Sequence, residues 1–363
     1  MNSTELFTIK KALQIFGSSI QCSDIEKQIG LSLPDFARGA DGRKLKSWSM
    51  NEIAQVGEQI GFLKKPNTPR AISIFVTKGG VLKTSLTLNI ARMAALHNIK
   101  TCVVGLDMQS DITENLSDTL ANENSDFKSA LKTLNSVQGL AQVFEGSAKL
   151  RDTILSTDLP NLKFIPETPE LVALDQSLMN KNRREYWLKE NIIDELKKDF
   201  SLIIMDCSPN WNRLITNALV ASDLLISPVE CKINNFRNLK VFRALICEFQ
   251  KDMQKELNHL YVPTKYSVTR KLSSEICQWY VENLPNCIQT PMKESICGEE
   301  ASALKLSIPE FQANSDSAFE MRSILQSIFS NFLTLEVPFE RPLSAFKKVK
   351  DDKQDSEALW QSV

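Results

Sequence analysis

The segment AISIFVTKGGVLKTSLTLNIARMAAL, residues 71–96, constrains this chain more than any other. A short apolar run, AISIFVT (71–77), leads through KGGVLKTS into an apolar-rich stretch of helical length. Such a run fits a strand buried on both faces. Gly79 and Gly80 let the backbone turn its amides outward with no Cβ in the way. The helix that follows adds unpaired N–H groups and the positive end of its dipole. Strand, glycine turn, Lys83-Thr84-Ser85 and helix together read as a phosphate-binding loop, with Lys83 against the terminal phosphates of a nucleotide and the Thr84 hydroxyl on Mg²⁺. The strict G-x-x-x-x-G-K-[ST] spacing is not met, because Thr77 and Leu82 stand at its two glycine positions.

Similar apolar runs recur at 101–106, 162–166, 202–206, 224–229 and 260–264, with helical stretches between them at 84–97, 211–221 and 235–254. This alternation predicts an α/β fold, a doubly wound, mostly parallel sheet with helices on both faces. Residues 117–161 are polar and irregular, and short helices are expected there rather than one long loop. A break falls at KKPNTPR (64–70), where two prolines and an Asn interrupt the pattern. Before it the sequence reads helical. Leu6, Ile9, Leu13 and Phe16 share one helical face, as do Ile53, Val56 and Ile60, and Ser49 with Glu52 predicts a capping box for the second helix. The expected division is an N-terminal region over 1–68, a nucleotide-binding domain over 69–340 and a solvated tail over 341–363.

Composition narrows the function classes. The 363 residues carry 43 Lys+Arg against 44 Asp+Glu, so any contact with nucleic acid has to come from local patches. Eight cysteines and two histidines form no C-x-x-C pair, which suggests neither a zinc site nor a disulfide framework. The cysteines read as small buried residues in a reducing cytoplasm. No apolar run is long enough to span a bilayer.

The loop K-G-G-V-L-K-T resembles the deviant Walker box of the ParA/MinD class of partition ATPases, in particular the larger, plasmid-type ParA subgroup, which also accepts a bulky residue at the position of Leu82. The resemblance implies a P-loop NTPase fold, ATP and ADP as ligands with Mg²⁺, and nucleotide contacts from Lys78, Gly79, Gly80, Val81, Leu82, Lys83, Thr84 and Ser85. Lys78 would be the second, signature lysine, which reaches a partner protomer's phosphates in a nucleotide-sandwich homodimer. VVGLDMQSDIT resembles the family's D-x-D-P-Q segment. Asp107, 24 positions after Lys83, takes its second Asp and is expected to orient the attacking water. Gly105 replaces the first Asp and Met108 the Pro. FSLIIMDCSPNW resembles the Walker B region, with Asp206 delivered to a strand end to hold Mg²⁺, and with Pro209 and Pro228 in the family's positions. Thr264 and Lys265, in YVPTKYS, fall where relatives line the adenine pocket.

The segment GADGRKLKSWSMNEIAQVGEQIG reads as a basic turn, Arg43, Lys44 and Lys46, joined to a capped helix. It resembles the winged helix-turn-helix region of the large ParA subgroup, which binds operator DNA. Basic side chains beside a helix end would anchor phosphates as the helix approaches a groove. The alternative for this segment is a solvated basic turn on a dimerisation domain. In the ATPase domain, Arg270, Lys271, Lys293 and Arg322 are the candidates for non-specific DNA contacts. The resemblance thus implies a cytoplasmic, nucleoid-associated partition ATPase with DNA and a ParB-type centromere-binding protein as partners and no membrane. A MinD-like membrane-surface ATPase, a NifH-like reductase and a repressor that only senses nucleotide stay open as alternatives.

Overall fold

A computed structural model describes residues 7–21, 25, 36–38, 44–117 and 137–334. Its centre is an eight-stranded sheet built from β4 (Arg70–Ile74), β5 (Thr101–Leu106), β6 (Leu155–Ser156), β7 (Leu162–Ile165), β8 (Leu202–Cys207), β9 (Leu224–Glu230), β10 (Asn258–Tyr266) and β11 (Met292–Lys293). The order across the sheet is β11-β10-β9-β4-β8-β5-β7-β6, and only β6 runs antiparallel to its neighbour. After β4 the chain moves to one side of the sheet, returns to insert β8 beside β4, and then builds outward on the other side. In open sheets of this kind the ligand crevice lies outside the C-terminal strand ends, where the strand order reverses.

The apolar runs have a physical cause in the two-sided burial of these strands. On β8, Leu202 and Ile204 enter one core while Ile203 and Met205 enter the other. On β9, Leu224 and Ile226 face the first core, and Leu225 and Val229 the second. The first face is covered by α3 (Lys83–Leu96), α10 (Ile296–Ala303), α11 (Ile308–Phe311) and α12 (Asp316–Ile328). The second is covered by α6 (Leu171–Leu178), α7 (Arg213–Ala221), α8 (Ile233–Asp252) and α9 (Lys271–Asn283). Two short helices, α4 (Asp111–Leu116) and α5 (Leu140–Glu145), flank residues 118–136, which lie outside the described residues.

The N-terminal region is less helical than its sequence suggests. β1 (Phe7–Thr8), β3 (Lys44–Trp48) and β2 (Phe36–Arg38) form an antiparallel sheet in that order, with α1 (Ile9–Ile15) and α2 (Met50–Ile60) beside it. Of the helical face expected through Leu6, Ile9, Leu13 and Phe16, Leu6 lies outside the described residues, and the helix starts only at Ile9, because Thr8 ends β1 and caps α1 by accepting from the Lys11 N–H at 3.2 Å. The capping box is present: the Ser49 N–H donates to Glu52 at 2.8 Å. Phe7, Ile15, Phe16, Trp48, Ile53 and Val56 join the same apolar core as Leu86, Leu96 and Ile324. Polar contacts pin the same interface. The Phe62 N–H donates to His97 Nε2 at 3.1 Å, and Arg322 donates to the Gln14 carbonyl at 3.3 Å.

Candidate functional site

The loop between β4 and α3 sits at the C-terminal edge of the sheet, between the ends of β8 and β9. Gly80 takes a φ of 69°, and a Cβ placed on Gly79 or Gly80 would meet nothing within 4 Å. The loop therefore borders open space, and the first turn of α3 points its unpaired N–H groups into that space. Leu82 also has a φ of 69°, so a conformation that suits glycine is held here by a branched residue. Its side chain packs on the first core, which offsets the strain.

The side chains converge as phosphate chemistry requires. Lys83 is buried, and its Nζ donates to the Lys78 carbonyl at 3.3 Å, across the loop it would serve. Thr84 Oγ1 donates to Asp206 Oδ2 at 2.9 Å, and Thr87 Oγ1 donates to Asp206 Oδ1 at 2.8 Å. Asp206 is 1% exposed, and desolvation lifts it to about 6 although both threonine hydroxyls and the Lys83 charge oppose the rise. A buried carboxylate beside a hydroxyl is an all-oxygen donor set, which suits Mg²⁺ rather than a soft metal. Ser85 lies in the first turn of α3. Val81 is buried, and its carbonyl accepts from Thr264 Oγ1 at 3.3 Å, which brings the end of β10 to the loop.

A charged cluster flanks this core. Lys78 Nζ is 2.9 Å from Glu230 Oε2, while Lys232 pairs with the same carboxylate at 2.9 Å. Lys265, at a φ of 50°, lies 3.7 Å from Glu294 and 3.9 Å from Glu230. Burial works to raise Glu230, but Lys232 and Lys78 outweigh it and hold the carboxylate below its usual range. On the other side, Asp107 follows β5 directly. Its Oδ1 accepts from the Gln109 N–H at 3.2 Å, and its carbonyl accepts from the Ser110 N–H at 3.2 Å, so the turn closes without the family's proline. The Asp107 charge adds to the rise at Asp206. The phosphate-loop residues, Asp107, Asp206, Thr264 and Lys265 are thus gathered at one sheet edge.

Three residues of this neighbourhood have no signal in the sequence. Glu230 meets Lys78 across 152 positions. Thr87 lies a helical turn beyond the motif. Glu167, after β7, is buried and reaches the Asp107 N–H at 3.2 Å. Burial, with the Asp206 charge added, pushes Glu167 up to about 9.

The basic residues proposed for DNA do not share one setting. Arg322 is a correction: it is only 8% exposed, donates to the Gln14 and Ala313 carbonyls, and lies 4.6 Å from the Phe319 ring. Its guanidinium is spent inside the protein, at the seam with the N-terminal region. Lys293, on β11, is paired with Glu320. Arg270 and Lys271 are exposed at the start of α9, with Lys271 3.6 Å from Glu275. Lys44 and Lys46 lie on β3, the central strand of the N-terminal sheet, rather than on a turn. Arg43 lies outside the described residues.

The AAA domain family matches residues 69–259, more than half of the chain and the span from β4 into β10. Relatives of this chain include proteins named for partition and cell division. The cell division protein PomZ of Myxococcus xanthus is 27% identical over 257 residues, 70% of this chain and 75% of PomZ. The chain belongs to the ParA/MinD family of partition ATPases. Plasmid partition protein A of Escherichia coli is 25% identical over 273 residues, 69% of this chain and 65% of that relative. Among solved structures, a putative plasmid partition protein of Borrelia burgdorferi bound to AMPPNP superposes with a TM-score of 0.59. It is 20% identical and covers 73% of this chain and 100% of its own. The doubly wound sheet read from the sequence is therefore the fold of this ParA-type chain.

Proposed function

We propose that this chain is an ATP-switched DNA-partition protein. The observation that carries the reading is the convergence of Lys83, Thr84 and Asp206 on the open space beside Gly79 and Gly80. Lys83 and the loop amides, Lys78 through Ser85, hold the phosphates, and Thr264 and Lys265 border the base. Thr84 and Asp206 hold Mg²⁺, which when bound neutralises phosphate charge. Asp107, at the end of β5, orients water for attack on the γ-phosphorus. The bond to the β–γ bridging oxygen breaks, and ADP and phosphate leave.

Lys78 serves a partner protomer in a homodimer. In the isolated chain it is held by Glu230 at 2.9 Å, so it exchanges a carboxylate for a phosphate when the dimer closes. The ATP-bound dimer binds DNA non-specifically through exposed cations, of which Arg270 and Lys271 are the best placed and Lys293 becomes available by leaving Glu320. A ParB-type centromere-binding protein speeds hydrolysis and release. The antiparallel pair β2–β3, which carries Lys44 and an exposed Lys46, forms the wing of an operator-reading region that serves autoregulation. The protein works in the cytoplasm on the nucleoid. Among the described residues no helix is long and apolar enough to cross a membrane.

The test is ATP binding and turnover by Lys83→Ala. Loss of a charged contact of this kind costs about 1.5–3 kcal/mol, roughly 10- to 150-fold in Kd. Wild-type affinity and turnover in that variant would remove the phosphate-loop assignment.

A further inference from the structure

The turn that carries Asp107 is anchored by one buried side chain from the segment that follows β7. Glu167 follows β7, and its carboxyl reaches across to β5. Oε1 accepts from the Asp107 N–H at 3.2 Å, while Oε2 accepts from the Thr113 N–H at 3.3 Å and from Thr113 Oγ1 at 3.2 Å. Thr113 Oγ1 in turn accepts from the Glu167 N–H at 2.8 Å. Both ends of the segment 107–113 therefore hang on one carboxyl group that is 4% exposed. Space has been made for it: a Cβ on Gly105 would lie 2.3 Å from Glu167 Cγ and 2.8 Å from Cδ. Gly105 leaves the position bare, and the Glu167 side chain, from just beyond β7, fills the gap.

We infer that Glu167 is a positioning residue for hydrolysis, holding the Asp107–Thr113 turn so that the Asp107 carboxyl stays at the end of β5. This inference rests on the proposed role of Asp107 and deepens it. The phosphate loop itself makes none of these contacts, so ATP binding and turnover separate when the anchor is removed. Glu167→Ala frees the Asp107 N–H and both Thr113 groups. Losing three hydrogen bonds that fix one turn corresponds to about a 10- to 100-fold fall in kcat, with the ATP Kd within about threefold of wild type. Glu167→Gln keeps one acceptor oxygen and is expected to recover most of kcat. Gly105→Ala pushes Glu167 aside and should lower kcat in the same way. The double variant Gly105→Ala/Glu167→Ala should be no slower than Glu167→Ala alone, since both act on one contact.

The experiment is steady-state ATP turnover and fluorescent-ATP binding on the full-length chain, for these variants beside wild type and Lys83→Ala. An inactive Lys83→Ala together with a Glu167→Ala whose kcat stays within twofold of wild type overturns the inference alone. Equal loss of ATP affinity and turnover in Glu167→Ala also overturns it, because the residue then supports the fold rather than Asp107. A fully active Lys83→Ala instead removes the functional reading on which the inference rests. If Glu167→Ala fails to fold, Thr113→Val decides. It removes one anchor point, so kcat should fall with the ATP Kd unchanged, and an unchanged kcat overturns the inference.

Discussion

Arg92 offers the largest stability effect that can be worked from single contacts. It lies on α3, is 1% exposed, and is bracketed by two carboxylates. Nε and Nη2 donate to the two oxygens of Glu310, each at 2.8 Å, while Nη1 and Nη2 donate to those of Asp158, also at 2.8 Å. The carboxylates overcome the desolvation that would lower it, so the guanidinium stays charged. In Arg92→Met the two acids fare differently. The Asp158 side chain is 29% exposed and can rehydrate, whereas that of Glu310 is 1% exposed and cannot. Ser307 still donates to Glu310 from its N–H and hydroxyl, at 2.9 and 2.6 Å, but no positive charge remains beside it. Breaking a buried pair by removing one partner costs about 3–5 kcal/mol, a large part of a typical stability of about 5–15 kcal/mol. Guanidinium denaturation followed by far-UV circular dichroism measures it. Adding Glu310→Gln should return a good part of the loss, because the orphaned charge is then gone. A loss under about 1 kcal/mol in Arg92→Met, or no recovery in the double variant, would refute the reasoning.

Lys78→Ala should keep nucleotide binding by the single chain but lose the ATP-dependent dimer; light scattering with ATP reads this, and an undiminished dimer makes Lys78 a partner of Glu230 only. Asp107→Ala should bind ATP and hydrolyse it about 10²-fold more slowly, remaining dimeric for longer; normal turnover would reduce Asp107 to the turn cap that its bond to Gln109 also makes it. His97 is buried and its value lowered from 6.5 to about 4, so the folded state excludes its proton. The stability held by the neutral ring is complete above 6.5 and is lost as pH falls toward 4, on the order of 3 kcal/mol in all. Denaturant midpoints between pH 7 and 4.5 should fall, and fall less in His97→Gln; identical slopes would show that the ring does not carry the effect.

What was legible in the sequence follows from what burial does to it. Strands covered on both faces become uninterrupted apolar runs, so β5, β8 and β9 were visible to within a residue or two. β4 ends at Ile74, although the apolar run continues, because Phe75 and Val76 are buried beyond the ladder. The phosphate loop was legible because its chemistry is local. Contacts between distant segments were not: Lys78 with Glu230, and Asp107 with Glu167 across 60 positions, leave no spacing to read. β1, β2 and β3 were missed because they are two to five residues long and KLKSW carries charges where a buried run would not. Arg322 looked like a surface cation, since composition does not reveal that backbone carbonyls receive it inside the fold.

The central claim is that nucleotide state governs DNA binding through this site. The most direct measurement is a mobility shift of the full-length protein on random-sequence DNA with ATP, with ADP and with no nucleotide, across a salt series. The account predicts retention with ATP alone, an affinity that falls linearly against salt on logarithmic axes as phosphate contacts release counterions, and no retention by Lys83→Ala. Equal retention under all three nucleotide conditions, or none at any salt concentration, would contradict it.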